Sequence, residues 1–148
     1  MTETLPPPQL EHVCDLAVTI SPPIEVGQTA AGLRRVIPIT GGVVKGPRLN
    51  GKVLAGGADF QLILAGGTQA HLDARYVIEL DDGTRVFVQN TALRFASLEN
   101  SQRIMRGEPV NPAEIYFRCQ PQLEAAGEKW AWLAESQFIG SGRRAPDG

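Results

Sequence analysis

The stretch HLDARYVIELDDGTRVFVQN, residues 71–90, constrains the fold more than any other part of this chain. Apolar and polar residues alternate along 71–80, Asp81-Asp82-Gly83 interrupts them, and TRVFVQN (84–90) returns with the same alternation. Period two is the pattern of a strand with one buried face. An Asp-Gly step between two such runs is a strong hairpin signal.

Other runs of strand character follow at close spacing. CDLAVTI (14–20) is halted by Ser21-Pro22-Pro23, and RRVIPI (34–39) by Gly41-Gly42. VVKG (43–46) and KVLA (52–55) flank a turn at Pro47 to Gly51. ADFQLIL (58–64) closes at Gly66-Gly67, and EIYFRCQ (114–120) and KWAWLAESQFIG (129–140) complete the set. Only SLENSQRIMRG (97–107) reads differently. Ser97 as N-cap, the apolar Leu98, Ile104 and Met105, and Gly107 as C-cap predict one short helix, which Pro109 and Pro112 keep from extending. Short strands with turn signals between them, one helix and no βαβ spacing predict an all-β, mainly antiparallel barrel or sandwich. A length of 148 residues suits a single domain. Residues 1–11, with Pro6-Pro7-Pro8, are expected to form a loose leader to a domain spanning 12–148, and SGRRAPDG (141–148) a flexible end.

The formal net charge is -2, and the only adjacent basic pairs are Arg34-Arg35 and Arg143-Arg144. Nucleic acid is therefore not an expected partner, because its sites carry a basic patch or stripe. Cys14 and Cys119 stand far apart in apolar runs, with no zinc spacing, and are expected to pack as small hydrophobes. The N-terminus has no basic region followed by an apolar stretch, and no run approaches the ~20 apolar residues of a membrane helix. These features predict a soluble cytoplasmic protein with no membrane partner.

GPRLNGKV (46–53) nearly spells a phosphate-binding loop. Such a loop needs a helix after its Lys and a hydroxyl for magnesium. Here Val53 replaces the hydroxyl, and Gly56-Gly57 follow four and five residues after Lys52, which no stable helix tolerates. Asn50-Gly51 reads instead as a hairpin turn.

Alternation sorts the polar residues by strand face. Asp59, Gln61 and Ile63 oppose Phe60, Leu62 and Leu64. Asp73, Arg75, Val77 and Glu79 oppose Ala74, Tyr76, Ile78 and Leu80. Glu114, Tyr116, Arg118 and Gln120 oppose Ile115, Phe117 and Cys119, and on KWAWL Trp130 and Trp132 point together. Either the polar faces are the outside of the barrel, or part of the polar set lines a ligand cavity. In the second case the buried charges must pair with one another.

RRVIPITGGVVKGPRLNGKVLAGGADFQL, then LDARYVIELDDGTRVFVQN, then IYFRCQPQLEAAGEKWAWL resembles the DUF3237 family, also called UPF0311, in order and spacing over roughly residues 13 to 144. The resemblance implies a barrel of the allene-oxide-cyclase and dirigent type. Some fungal members sit in natural-product pathways, which implies cofactor-free work on small organic molecules. Family members often carry Trp where this chain has Phe60. They also usually add a strand beyond the Gly-Arg-Arg-Ala-Pro-Asp-Gly that ends this sequence, which bears on how the last seam closes.

Asp59, Arg75, Tyr116 and Arg118 fall within the family markers GADFQ, DARY and YFR, which favours the polar pocket. Asp59 is then the expected general base or acid. Arg75 and Arg118 would hold a carboxylate, phenolate or enolate, and one of them would pair with Asp59. Tyr116 would donate a proton. Gln61, Glu79, Trp130 and Trp132 would contact the ligand, the tryptophans by stacking. His12 and His71 read as surface residues. No metal and no cofactor is expected. The expected partner is a small organic ligand, together with a second copy of the chain if strand edges stay open. Three functions compete: a cofactor-independent isomerase, cyclase or lyase acting by proton transfer, a non-catalytic ligand-binding protein, and a structural or interaction module.

Overall fold

A computed structural model describes residues 3–144. The first strands are β1 (Asp15–Ile20), β2 (Ile24–Gln28), β3 (Leu33–Lys45), β4 (Gly51–Val53) and β5 (Ala58–Leu64). Then come β6 (Gln69–Leu80), β7 (Arg85–Phe95), helix α1 (Leu98–Met105), β8 (Tyr116–Ala125) and β9 (Gly140–Ser141). All nine strands belong to one sheet, and every pairing is antiparallel.

The long β3 organises the sheet. Its first half pairs with β2 and β5, and its second half with β1 and β4. β4 and β5 then share β6 as their next neighbour, and β7, β8 and β9 follow in order. The sheet curls until its ends share a core. Leu16, Val18 and Ile20 of β1 pack on the same apolar cluster as Leu123 of β8, with Leu133, Trp132 and Phe138 from the segment after β8. The fold is all-β with one short helix, as the alternation predicts.

Gly41-Gly42 was expected to end a strand, but β3 runs straight through it. Gly42 lies against the backbone of Ala17 with no room for a Cβ, at a φ of +149°. The glycine lets β1 approach while β3 passes from one pair of partners to the other. β2 was not anticipated. It is an edge strand with exposed Ile24 and Val26, and its register shifts between Glu25 and Gly27, a bulge of the kind that blunts an edge.

The expected strand 129–140 is corrected. Residues Ala131–Leu133 form a 3-10 turn, and only Gly140–Ser141 is strand. The aromatic run is held by side chains instead of a ladder. Lys129 Nζ and Trp130 Nε1 both donate to Asp82 Oδ2, at 2.9 and 3.0 Å, and the Arg48 guanidinium lies 4.4 Å from the Trp132 ring centre. Lys129 holds the Asp82 carboxyl well below the usual carboxylate range, with the Thr84 amide adding to the effect.

The helix cap and the two turns follow the sequence. The Ser97 side chain accepts the Asn100 N–H at 3.1 Å and starts α1. Gly83 sits at φ +87° in the turn joining β6 to β7. GPRLNGKV is a hairpin connection: the Asn50 side chain accepts from the Gly46 N–H and donates to the Gly46 carbonyl, and Leu49 plugs into the core. Met1 and Thr2 of the expected leader and residues 145–148 of the expected tail lie outside the described residues. Residues 142–144 are tied down: Gly142 N–H donates to Phe117 O, and Arg144 Nη1 to Ile104 O.

Candidate ligand site

Register places the inward residues of β3, β5, β6, β7 and β8 in rows across the sheet. One row reads Ile37, Asp59, Ala74, Asn90 and Pro121. The next reads Arg35, Gln61, Leu72, Ala92 and Cys119, and the third Leu33, Ile63, Ala70, Arg94 and Phe117. The opposite end of the barrel is filled by Ile78, Leu80, Val86 and Val88. Here, by contrast, Ala70, Ala74 and Ala92 are small, and Arg35, Asp59, Gln61, Asn90 and Arg94 put polar atoms among the strands.

These polar atoms are only partly satisfied. Gln61, 5% exposed, donates from Nε2 to Asp59 Oδ2 at 2.8 Å. Arg35, 4% exposed, donates from Nε to Glu25 Oε1 at 2.9 Å and from Nη1 to Met105 Sδ at 3.0 Å. Arg144 donates to the Ile104 carbonyl near the C-terminus of α1, where a cation suits the helix dipole. Three buried oxygens have no partner among the described residues: Asp59 Oδ1, Gln61 Oε1 and Asn90 Oδ1. Native interiors leave few such groups, because each costs about 1–3 kcal/mol when unpaired.

The titration of the site follows from its packing. Burial pushes the Asp59 carboxyl above its ordinary value of 3.8. The Gln61 amide, the nearby Asp73 N–H and the Arg94 charge offset this in part, while the Asp73 carboxylate adds to it. Burial, with Arg144 next, lowers Arg94 to about 10, so it keeps its charge at neutral pH. Tyr76, buried in the wall beside Gly57, is held protonated, chiefly by burial.

The residues proposed from sequence divide between the two faces. Asp59 and Gln61 face the interior together. Arg75 faces outward and pairs with Asp73 at 3.0 Å, so the expected partnership of Asp59 with Arg75 does not form. Adjacent positions on a strand point to opposite faces, and Arg75 is one residue away from the inward Ala74. Tyr116, 52% exposed, and Arg118 are outward too, with the guanidinium 5.3 Å from the ring centre. Arg118 therefore does not reach Asp59 either. Glu79 is outward, between Lys52 at 3.6 Å and Arg85 at 3.3 Å. Trp130 and Trp132 pack at the apolar end, beside the turn that carries Asp82. His71 is exposed.

Two surface hollows flank the barrel wall. A groove of about 400 Å³ on the outer face is lined by Arg34, Phe60, His71, Asp73, Tyr116 and Arg118, among others. A second hollow of about 550 Å³ lies under α1. Leu33, Ile63 and Met105 line it, which places it beside Arg35 and the polar rows. Sequence reasoning missed Arg35, Asn90, Arg94 and Arg144. The signal for the first three was phase: Arg35 alternates with Leu33 and Ile37, and Asn90 and Arg94 with Val88 and Ala92.

A curled antiparallel sheet with a packed apolar end and a polar end under one helix defines a β-barrel-like all-β fold. The chain belongs to the DUF3237 family, described as proteins of unknown function, whose model matches residues 8–148. A UPF0311 protein of Rhodopseudomonas palustris is 42% identical over 147 residues, covering 99% of this chain and 94% of the relative. A crystal structure from the same species superposes with a TM-score of 0.82 at 39% identity, covering 93% and 91% of the two chains. A β-barrel-like protein of Acinetobacter baumannii gives 0.76 at 34% identity, covering 96% and 92%. A protein of Penicillium herquei named as a hydroalkoxylation enzyme is 33% identical over 86 residues, 58% of this chain and 56% of its own. An enzyme structure from that fungus shares the fold, with a TM-score of 0.71 at 22% identity and coverage of 97% and 90%. Among the described residues no helix is long and apolar enough to cross a membrane.

Proposed function

We propose that the polar end of the barrel binds a small organic molecule and that Asp59 moves a proton to or from it, in isomerase, cyclase or lyase-type chemistry without a redox cofactor. The observation that carries the reading is Asp59 itself. It is a buried carboxyl raised above its ordinary value, fixed on one oxygen by Gln61 and unpartnered on the other. A carboxyl raised in this way can exist in both protonation states nearer neutral pH, which general acid–base catalysis needs. Gln61 orients the group, and the paired positions nearby carry the small side chains of Ala74 and Ala92. Hydroalkoxylation, the activity in the fungal relative's name, adds an O–H across a carbon–carbon double bond. That reaction is redox-neutral and turns on a proton, which agrees with this assignment.

The test is to incubate wild-type protein and Asp59→Asn with a panel of unsaturated phenols and enolisable ketones and follow mass-neutral conversion by chromatography. We expect turnover by the wild type and a loss of at least about 100-fold in Asp59→Asn. Saturable binding by both proteins with every ligand recovered unchanged would establish the carrier reading instead. The outer groove favours a second location, because it gathers Tyr116, Arg118 and Asp73 around exposed Phe60.

A further inference from the structure

Arg94 is the residue the polar end does least to satisfy. It extends inward from β7, in register with Ala70 on one side and Phe117 on the other. Among the described residues its guanidinium has no hydrogen-bond acceptor and no ion-pair partner. Its neighbours do not neutralise it. Arg35 is already committed to Glu25 and Met105, and Arg144 to the Ile104 carbonyl. The charges of Arg144 and Arg35 both act against that of Arg94, and only Asp59 acts for it. A guanidinium is a planar fork of donors that matches a carboxylate or a phenolate oxygen, and the half-buried Arg94 holds that fork unpaired among the described residues. Nearby, Gln61 is 5% exposed and its Oε1 is unpartnered. The polar end thus lacks an acceptor for Arg94 and hydrogen-bond donors for its free oxygens.

We infer that the ligand of this barrel is a small organic anion, whose carboxylate or phenolate oxygen sits on Arg94 while a hydroxyl of the same molecule donates to one of the free oxygens of Asp59, Gln61 and Asn90. The inference rests on the reading of the interior as a ligand site and adds the charge of what enters it. Arg94 is then the residue that selects an anion over a neutral molecule of the same shape. Arg35 and Arg144 deepen the positive potential without needing to touch the ligand. The hollow under α1 lies on the same rim, lined by Leu33 and Ile63, which share the Arg94 row.

The experiment measures binding by calorimetry to the full chain, using salicylate against salicylamide and benzoate against benzamide. Each pair keeps the ring and changes the charge. Wild-type protein is expected to bind the carboxylates roughly 10- to 100-fold tighter than the amides, the range of one charge-assisted pairing. Arg94→Met, checked for folding by its melting curve, is expected to erase that preference, while Arg94→Lys keeps part of it. If amides and carboxylates bind alike, or if the preference survives Arg94→Met, the anion assignment is overturned and the interior site stands. If the preference disappears in Arg118→Ala instead, the anion binds in the outer groove and the assignment is overturned. If none of the four compounds saturates the wild type, the assignment and the ligand-site reading fall together.

Discussion

The two ends of the barrel are built from the same strands to opposite rules. Along β6 the inward side chains run Ala70, Leu72, Ala74, Tyr76, Ile78 and Leu80, and along β7 they run Val86, Val88, Asn90, Ala92 and Arg94. Because the strands are antiparallel, large apolar groups meet large apolar groups at one end, while at the other Ala70, Ala74, Asn90, Ala92 and Arg94 surround Leu72, part of a smaller apolar cluster with Ile63. The apolar end is closed by Leu49 and Leu133, each 1% exposed, and supports the fold by burial alone. At the polar end three buried oxygens have no partner among the described residues. One end stabilises the fold by burial, while the other leaves polar groups unpaired among the described residues.

That contrast makes its largest prediction at the apolar end. Leu133 comes from the turn after β8 and belongs to the cluster shared by both ends of the curled sheet. Leu133→Ala removes buried methyl groups and leaves a cavity, so it is expected to cost about 2–5 kcal/mol in urea unfolding. A cost below about 1 kcal/mol would mean that the end is loosely packed and the contrast is false.

At the polar end the sign reverses. Arg94→Met keeps an apolar stem of similar reach and removes a half-buried charge that has no partner among the described residues. Without ligand it is expected to be more stable than the wild type by roughly 1 kcal/mol. Destabilisation of that size would show instead that Arg94 serves the fold, and the two ends would then follow the same rule.

Asp59 sharpens the comparison through pH. Its pKa in the folded protein is raised, mainly by burial. The unfolded chain therefore loses this proton at lower pH than the folded one. The stability contributed by protonated Asp59 is fully present below the ordinary value of 3.8, and it is lost as pH rises through the raised value. Asp59→Asn cannot ionise. Its stability relative to wild type is expected to climb with pH across that window and then level off. Urea melts of both proteins over a pH series measure the difference. A gap that stays flat would place Asp59 in contact with bulk water.

These residues show how much could be read without coordinates. The hairpin at Asp81-Asp82-Gly83, the capped helix and the faces of β5, β6 and β8 follow from period and turn chemistry, which are local. Which face of β5 turns inward does not. Phe60, Leu62 and Leu64 on one side are as apolar as Ile63 on the other, and only pairing with β3 and β6 decides the matter. Arg35, Asn90 and Arg94 were concealed for a related reason: a polar residue in phase with apolar ones reads as an exception until register shows several exceptions meeting. Trp130 and Trp132 were misread because alternation over five residues does not separate a strand from a turn held by Asp82 and Arg48.

The smallest expected effect tests the barrel wall itself. Arg75 follows Ala74, the neighbour of Asp59 across β5 and β6, yet its side chain leaves the opposite face and pairs with Asp73 in water. Exposed pairs of this kind contribute little, because solvent screens them and two side chains must be ordered. Arg75→Ala is therefore expected to leave the melting temperature, the salicylate affinity and any turnover at wild-type levels, within experimental error. Arg118→Ala is expected to do the same, since its guanidinium lies over Tyr116 on that outer surface. The pair of variants separates the two faces of one sheet. If either abolishes binding while Asp59→Asn and Arg94→Met do not, the ligand sits in the groove lined by Phe60, Tyr116 and Arg118. The interior oxygens would then need an explanation within the fold, such as ordered water bridging Asp59, Gln61 and Asn90.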